Sequence, residues 1–447
     1  MSFSDINFIC IFLPVFMFIY MVTGTAHRKY VIAVSSLIFV AIGGIGGIFQ
    51  MLSVLVVNYV LLMFQRGRGK KGSKILLAAC ILMNLLFLVL SRISHILVFS
   101  GLSFMVFRFI SIHIDRYRKD LKKCPGFVEY MCYVSMFITL SAGPVTRYND
   151  IEKSIKIPKV RLSGIDRGFR LFTAGLAFKV LLAENLDILW SQIISPGAET
   201  LSVPMSWLGA FAASAWIYYD FLGYSLMAIG LGIMTGISVP ENFNEPYSSG
   251  SISEFYRRWH ITLGRWFRDY VYIPLGGSRL GPARSVVNIM IVWILTGVWH
   301  GGSPNYLIWG VILGLLVAVE KMPFYKKMVS NDRVRIFMHI PVLLIIAVTW
   351  CIFKNEDTAT MISYLMSLFG LNPAGQVLST WQQFFRFIGD YLPVLIPGVI
   401  FMTPFPRKVW DKYSDSPAFA VLLIILFWFT FVRLKAGNTS DFLYMQF

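Results

Sequence analysis

A histidine stands at position 300 between an apolar run and a cluster of helix-breaking residues. The sequence reads TGVWHGGSP over 296–304, and residues 286–299 contain no charged side chain. A neutral imidazole accepts protons near physiological pH, and it can also serve as a nucleophile. An ionisable side chain inside an apolar segment is costly, so it indicates a functional site by default. His300 is therefore the first candidate for chemistry, and the alternative is a histidine that only bonds a neighbouring carbonyl.

A second histidine, His260, lies in the stretch SISEFYRRWHITLGRWFRDYVYIPLGGSR at 251–279. On one continuous helix over 252–270, the large apolar residues share one face and the cations lie opposite. This pattern is typical of a helix at the membrane interface, with aromatic side chains in lipid and cations toward water or phosphate. His260 then lies at the edge of the apolar stripe, where a local hydrogen bond alone would account for it. The cations in question are Arg257, Arg258, Arg265 and Arg268.

Composition indicates what class of protein carries these side chains. The chain has 447 residues, of which 56% are hydrophobic and 14% are charged. Those values predict an all-α polytopic membrane protein. The formal net charge of +17 is typical of a membrane protein whose cytoplasmic loops are rich in lysine and arginine. Some of these cations could also bind an anionic cofactor or lipid head groups. A basic face on a soluble fold is absent, so no nucleic acid partner is expected. The five cysteines form no ligand cluster, so we expect neither a metal site nor disulfides.

Basic clusters predict the topology. They should be cytoplasmic, which places the N-terminus outside, and they lie at 27–30, 66–74, 116–123, 321–328 and 406–412. Apolar runs between them predict roughly ten to twelve spans in a single membrane-embedded domain over residues 1–447. Residues 205–237 and 286–320 are each long enough for two short crossings. The second segment has basic flanks on both sides, so it should fold as a hairpin that turns at GGSPN.

The hairpin would carry His300 deep into the hydrocarbon zone. From Val286 to His300 a helix rises about 21 Å. A break at that depth frees backbone groups, which are tolerated only in a polar cavity or inside protein. Ser303 is near, but no carboxylate in the local motif completes a Ser-His-Asp set. Asp220, in YYDFLGYS, also lies in an apolar run and should be paired with an arginine or a tyrosine.

Three motifs in fixed order resemble the membrane-bound O-acyltransferase family. They are RRWH at 257–260, YIPLGG at 272–277 and TGVWHGG at 296–302. The resemblance is strongest over about 100–315 and favours the bacterial branch of alginate O-acetylation, with the branch of teichoic acid D-alanyl transfer more distant. Further matches are GLSFMVFRFISIHIDRYR at 101–118, SAGPVTRY at 141–148 and DFLYMQF at 441–447. The sequence departs from the family's pattern at Pro304 and Leu313, which leaves the shape of the loop and the acceptor-side contacts open.

The resemblance implies a helix bundle around a central tunnel, with His300 as the active-site histidine and His260 in a supporting position. Trp259, Trp299 and Gly301 would line the tunnel. It further implies O-acyl transfer, chiefly of acetyl, from a cytoplasmic thioester toward an exported or cell-envelope polysaccharide. Acetyl-CoA is the expected donor, an acylated phosphopantetheine carrier protein is the alternative, and no cofactor is held permanently. The implied partners in the cell membrane are lipid, an extracellular or periplasmic acyltransferase and polysaccharide export machinery.

Several alternatives stay open on the sequence. His300 could act as a general base or carry the acyl group as an N-acyl intermediate. The four arginines could bind the phosphates of the donor or lipid head groups. D-alanyl transfer to teichoic acid is the alternative reaction, and a membrane transporter is the alternative class. No inverted repeat is detectable, which disfavours the transporter. A scaffold that only anchors partners would give His300 no reason to lie so deep.

Overall fold

The computed structural model describes residues 1–65, 70–94, 101–355, 357–371, 374–437, 440 and 442–443. These residues form helices joined by turns and contain no strand. The protein is an all-α polytopic membrane protein, as its composition predicts. Part of the basic cluster at 66–74 and most of the motif DFLYMQF lie outside the described residues.

Twenty-two α-helices follow one another along the described residues. Short π-helical turns at Phe8–Phe12, Phe178–Ala183 and Arg268–Tyr272 continue three of the helical stretches. In chain order the α-helices are α1 Leu13–Val22, α2 Arg28–Ile42, α3 Ile45–Phe64, α4 Lys70–Ser94, α5 Leu102–Arg118, α6 Phe127–Ser135, α7 Phe137–Leu140, α8 Tyr148–Lys156, α9 Leu162–Ala177, α10 Glu184–Ile194, α11 Val203–Thr235, α12 Ile252–Arg258, α13 Ile261–Phe267, α14 Pro282–His300, α15 Pro304–Glu320, α16 Pro323–Val329, α17 Asp332–Phe337, α18 His339–Lys354, α19 Thr358–Leu368, α20 Trp381–Ile400, α21 Phe405–Tyr413 and α22 Pro417–Ala436.

Within the described residues, five helices are long and apolar enough to cross a membrane, or up to seven if each of two bent pairs is one span. The five are α3, most of α4, α11, α14 and α22, and the bent pairs are α15 with α16 and α20 with α21. With three shorter apolar helices, at Phe8–Val22, α18 and α19, the total is eight to ten, so the predicted lower limit of ten is reached only if each bent pair is one span. The expectation of two crossings over 205–237 is wrong. Residues 203–235 form one unbroken helix of 33 residues, because they contain neither a proline after the first turn nor a turn motif.

The described chain forms two compact units, and the first comprises Met1–Leu176, Gly223–Glu241 and Leu423–Phe447. Its centre is α5, whose residues 102–115 are all buried. The guanidinium of Arg108 donates to the carbonyl oxygens of Val134 and Thr139, which satisfies backbone groups beside the break between α6 and α7. Asn58 and Asn84 exchange side-chain hydrogen bonds of 2.7 and 3.2 Å between α3 and α4.

The second unit comprises Ala177–Leu222 and Asn242–Leu422. It contains the hairpin expected over 286–320, formed by α14 and α15 with a break at residues 301–303. A Cβ on Gly297 would lie 2.5 Å from the Tyr306 carbonyl oxygen, and one on Gly310 would lie 2.5 Å from that of Trp293. These glycines let the two backbones pack closely. The single-domain organisation predicted from the sequence stays a prediction.

Candidate active site

The helix break after His300 is built by the residues that follow it. Pro304 occupies the first turn of α15, and the Ser303 side chain caps that helix by accepting from the Asn305 N–H at 3.3 Å. Proline suits a first turn because it has no N–H to leave unsatisfied. The Asn305 side chain donates to the Asn355 carbonyl oxygen at 2.6 Å. This hydrogen bond joins the start of α15, directly after the break, to the residue that follows α18.

His300 lies in an aromatic box, which we define as Trp299, Tyr306, Trp309 and Phe353. Its side chain is 3% exposed. The ring centroids of Phe353 and Trp309 lie 4.9 and 5.3 Å from that of His300, and both rings are nearly perpendicular to it. A Cβ on Gly301 would meet the Tyr306 ring at 2.6 Å. The imidazole is thus held among rings that exclude water, beside a backbone position that accepts only glycine without rearrangement.

The surface helix expected over 252–270 is not continuous. It ends at Arg258, Trp259 is extended, and His260 has the left-handed backbone angles φ 44° and ψ 51° before α13 begins. Such angles are uncommon for a residue with a side chain and need surrounding contacts to hold them. The loop at 242–244 supplies them: the Ile261 N–H donates to the Asn242 carbonyl oxygen, and the Asn244 N–H donates to that of Arg258. His260 consequently lies at a break and not on the edge of a stripe.

The aromatic face of this segment packs inside the protein, so the expectation that it lies in lipid is also wrong. Phe255, Trp259 and Trp266 are 0, 3 and 5% exposed. The Trp259 ring lies 4.8 Å from that of Trp350. An amphipathic pattern reports which side is apolar, but a buried protein surface and a lipid surface satisfy it equally.

His260 has a defined hydrogen-bond partner. Its Nδ1 lies 3.0 Å from Oδ1 of Asn242, which also accepts from the backbone N–H and the hydroxyl of Thr262. A backbone N–H can only donate, so the atom at that position is the amide oxygen and Nδ1 carries the proton of the neutral imidazole. Nε2 is then the acceptor atom of the ring. His260 lies outside the candidate spans, and burial lowers the pKa of its imidazole from 6.5 to about 3.

One tryptophan contacts both histidines. The Trp299 ring centroid lies 4.5 Å from that of His300 and 6.5 Å from that of His260. The predicted site residues His260, His300, Trp299 and Gly301 therefore come together. Trp259 joins the same cluster through Trp350, which stacks 6.0 Å from Trp309 of the aromatic box. Whether these residues line a tunnel stays a prediction.

The four predicted phosphate-binding arginines differ in their surroundings. Arg257 and Arg265 are exposed. Arg258 pairs with Glu254 at 2.8 Å, and Arg268 pairs with Asp269 at 2.8 Å. Arg258 and Arg268 are each already paired with a carboxylate. Arg257 and Arg265 are therefore better placed to bind an anion.

Asp220 is paired as expected, but its partner is a lysine. Lys179 Nζ lies 2.7 Å from Asp220 Oδ1 and also 2.7 Å from Glu184 Oε1, with Lys179 and Asp220 at 0 and 1% side-chain exposure. From the sequence, an arginine or a tyrosine is expected in this place. Lys179 lies 41 positions earlier in the chain, and no spacing in the sequence relates the two. No motif or spacing considered in the sequence analysis pointed to Asn242 or Trp309 as site residues.

The fold and the site define a class of protein: an all-α membrane protein in which two buried histidines contact one tryptophan. The chain belongs to the membrane-bound O-acyltransferase family, whose family model matches residues 117–354. It is 30% identical to a probable alginate O-acetylase of Pseudomonas syringae pv. tomato, over 100% of both chains. It is 31% identical to the peptidoglycan O-acetyltransferase of Helicobacter pylori, over 55% of this chain and 47% of that one. The similarity to the teichoic acid D-alanyltransferase of Bacillus subtilis is 26% over 56% of this chain and 69% of that one. The protein is an enzyme of the acyltransferase class.

Proposed function

We propose that this enzyme moves an acetyl group from a cytoplasmic thioester toward an exported or cell-envelope polysaccharide, and that His300 drives the transfer. The observation that carries the proposal is a 3% exposed imidazole at the broken end of α14, enclosed by the aromatic box. A positioned imidazole with little competing water suits acyl transfer to a hydroxyl. Two relatives are named for the O-acetylation of alginate and of peptidoglycan, which supports a polymeric carbohydrate as the acceptor class.

His300 acts as a general base in the proposed reaction. It removes the proton of the acceptor hydroxyl while that oxygen attacks the thioester carbonyl carbon. The new C–O bond forms and the C–S bond breaks. The proton then passes from the imidazole to the departing thiolate, so the products are an ester and a free thiol.

An N-acyl intermediate on His300 is the alternative course. It predicts a burst of thiol release when the donor is mixed with enzyme in the absence of any acceptor. A general base predicts no such burst, because the C–S bond breaks only after a hydroxyl has attacked. Stopped-flow detection of the released thiol separates the two courses.

His260 supports the reaction from a neutral state. With its pKa near 3 and Nδ1 committed to Asn242, only Nε2 can accept a proton or a hydrogen bond from a substrate. The site would thus use His300, at the end of α14, together with His260, which contacts the same Trp299 ring. Trp259, Trp299 and Gly301 shape the space between them.

Arg257 and Arg265 are proposed to hold the phosphates of the donor, with Arg258 and Arg268 as flanking cations. Guanidinium groups bind phosphate with charge-assisted hydrogen bonds. Acetyl-CoA is the proposed donor, and an acylated phosphopantetheine carrier protein carries the same phosphate and thioester chemistry. Lipid head groups are the competing ligand for the same cations.

The proposed setting is the cell membrane, with the N-terminus outside and the donor on the cytoplasmic side. A second acyltransferase outside that membrane would receive the acetyl group or place it on the polymer, next to the export machinery. Direct transfer to the polysaccharide is the simpler alternative.

D-alanyl transfer to teichoic acid is a second candidate, because a teichoic acid D-alanyltransferase is also a relative. Its match covers 56% of this chain, whereas the alginate O-acetylase match covers 100%. The test is to supply the purified full chain and a polysaccharide acceptor with labelled acetyl-CoA, with an acetylated carrier protein or with a D-alanylated carrier protein. Thiol release that is faster from acetyl-CoA than from either carrier protein supports the proposal. Release from the D-alanylated carrier alone would contradict it.

A further inference from the structure

We propose that the indole N–H of Trp309 donates a hydrogen bond to the carbonyl oxygen of the acyl group during transfer, which makes Trp309 a second catalytic residue beside His300. The inference rests on the proposed acyl transfer and adds a stabiliser of the developing negative charge. Attack on a thioester carbonyl gathers charge on its oxygen, and a donor fixed in advance near that oxygen lowers the barrier.

The polar atom of Trp309 is buried without a protein partner. The side chain is 2% exposed, and its Nε1 makes no hydrogen bond with any residue that the structure describes. In the same unit, the indole N–H of the half-buried Trp207 donates to the Leu368 carbonyl oxygen at 3.1 Å, and a buried indole usually has such a partner. A buried donor left unsatisfied is unfavourable, so a substrate oxygen that accepts from it would remove an existing cost.

The position of Trp309 fits that role. Its ring centroid lies 5.3 Å from that of His300, at an interplanar angle of 89°. Phe353 contacts both rings, at 4.9 Å from His300 and 5.3 Å from Trp309. The rings of Trp309 and His300 are thus neighbours in an apolar enclosure, where a hydrogen bond to a charged oxygen is stronger than in water.

The chemistry needs only one donor that keeps its proton. As the hydroxyl oxygen attacks, the π electrons of the carbonyl move onto its oxygen, and the Trp309 N–H bonds that oxyanion. When the C–S bond breaks, the carbonyl reforms and the hydrogen bond weakens. Trp309 is neither oxidised nor deprotonated, and His300 alone moves the proton.

A packing role is the competing explanation for Trp309. Its ring stacks 6.0 Å from Trp350 and lies 5.8 Å from Trp293, and both contacts need an aromatic ring but no N–H. Phenylalanine keeps most of such packing and removes the donor. Histidine at the same position restores a ring N–H on a smaller ring.

The experiment compares Trp309→Phe, Trp309→His and the control Trp293→Phe with the wild type, each as the purified full chain with acetyl-CoA and a polysaccharide acceptor. Trp293→Phe removes an indole from the same hairpin, at a ring that lies 4.6 Å from Tyr256. We expect Trp309→Phe to lower kcat by about 10²–10³, as loss of one oxyanion donor does, with the KM for acetyl-CoA nearly unchanged. Trp309→His should recover part of kcat, and Trp293→Phe should stay close to the wild type.

The outcomes separate this inference from the proposed function. If the wild type releases no thiol from any acyl donor in the presence of the acceptor, the proposed function is wrong. If the wild type is active and Trp309→Phe keeps its kcat, the indole donor is wrong and the proposed function stands. If Trp309→Phe fails to fold, a Trp309→His variant that folds with kcat as low as that of His300→Ala contradicts the donor role, and one that keeps measurable kcat supports it.

Discussion

Nδ1 of His260 lies 3.0 Å from Oδ1 of Asn242, and that one oxygen also accepts two hydrogen bonds from Thr262. The contact fixes both the tautomer of the histidine and the left-handed backbone at the break between α12 and α13. Asn242 precedes His260 by 18 positions. It is a positioning residue for the second histidine of the site.

Asn242→Ala should therefore destabilise the protein and impair transfer. Three buried donors lose their acceptor, and each costs about 1–3 kcal/mol when left unsatisfied. Asn242→Asp should keep the acceptor and add a charge that raises the pKa of the imidazole. Thermal unfolding in detergent and acetyl-CoA turnover check both variants, with the exposed Asn149→Ala as control. An Asn242→Ala variant with wild-type unfolding temperature and kcat would show that Asn242 is dispensable.

His260 predicts a pH dependence of stability. Burial lowers the pKa of His260 to about 3 in the folded protein, while the unfolded chain protonates it near 6.5. The unfolded state thus binds more protons between those values. The contribution of His260 is complete above about pH 6.5, and it is lost as the pH falls toward 3. Between about pH 7 and pH 5, the unfolding temperature of His260→Gln should fall less than that of the wild type. His339→Gln is the control and should fall as the wild type does. If the unfolding temperature of His260→Gln falls as much as that of the wild type over this pH range, the imidazole of His260 is not buried and neutral.

Glu320 ties the hairpin to the histidine-bearing segment. Its two carboxylate oxygens accept from the backbone N–H groups of Ile252 and Ser253, at 2.6 and 2.8 Å. We expect Glu320→Ala to lower both the unfolding temperature and kcat, since it frees the start of α12 from the end of α15. Glu320→Gln keeps one acceptor oxygen and should be intermediate. Asp390→Ala removes an exposed carboxylate that pairs with Arg386 and should be silent. A Glu320→Ala variant as active as Asp390→Ala would refute the positioning role.

The arginines can be separated by their pairing. Arg265→Gln should raise the KM for acetyl-CoA by about tenfold, the equivalent of one charge-assisted hydrogen bond, and leave kcat nearly unchanged. Arg268→Gln should have a smaller effect because Asp269 already pairs with that cation. Initial rates over a range of acetyl-CoA concentrations measure both. If the KM is unchanged while binding to anionic lipid vesicles weakens, lipid anchoring is the better account of Arg265.

The hairpin around His300 could be predicted because every signal for it is local. Basic flanks, apolar runs and the breakers GGSPN lie within one segment, and α14 and α15 end and begin around that turn. The number of helices over 205–237 could not be predicted from length alone. A helix of 33 residues and two short helices satisfy the same apolar run, and the lack of an internal proline or turn motif is the local signal that favours the single helix.

The break at His260 could not be predicted, because its cause lies elsewhere in the chain. The periodicity of the apolar residues continues across 252–270 with Ile261 as the one misfit, so the helical pattern gives no sign of an interruption. Asn242 imposes the interruption from a loop that precedes the segment. The partner of Asp220 escaped for the same reason, since Lys179 comes from the π-helical turn at Phe178–Ala183. Contacts between distant positions leave no mark on spacing.

The most direct test of the account is acetyl transfer by purified His300→Ala, compared with the wild type and with the control His339→Ala. His300 touches the rings of Trp309 and Phe353, so the variant should be judged only if its unfolding temperature shows that it is folded. Loss of a general base lowers the rate by about 10²–10⁴, and we expect a loss in that range with the KM for acetyl-CoA little changed. His339→Ala should retain full transfer. If folded His300→Ala keeps more than about a tenth of the wild-type rate, a loss smaller than one general base supplies, His300 does not drive the reaction.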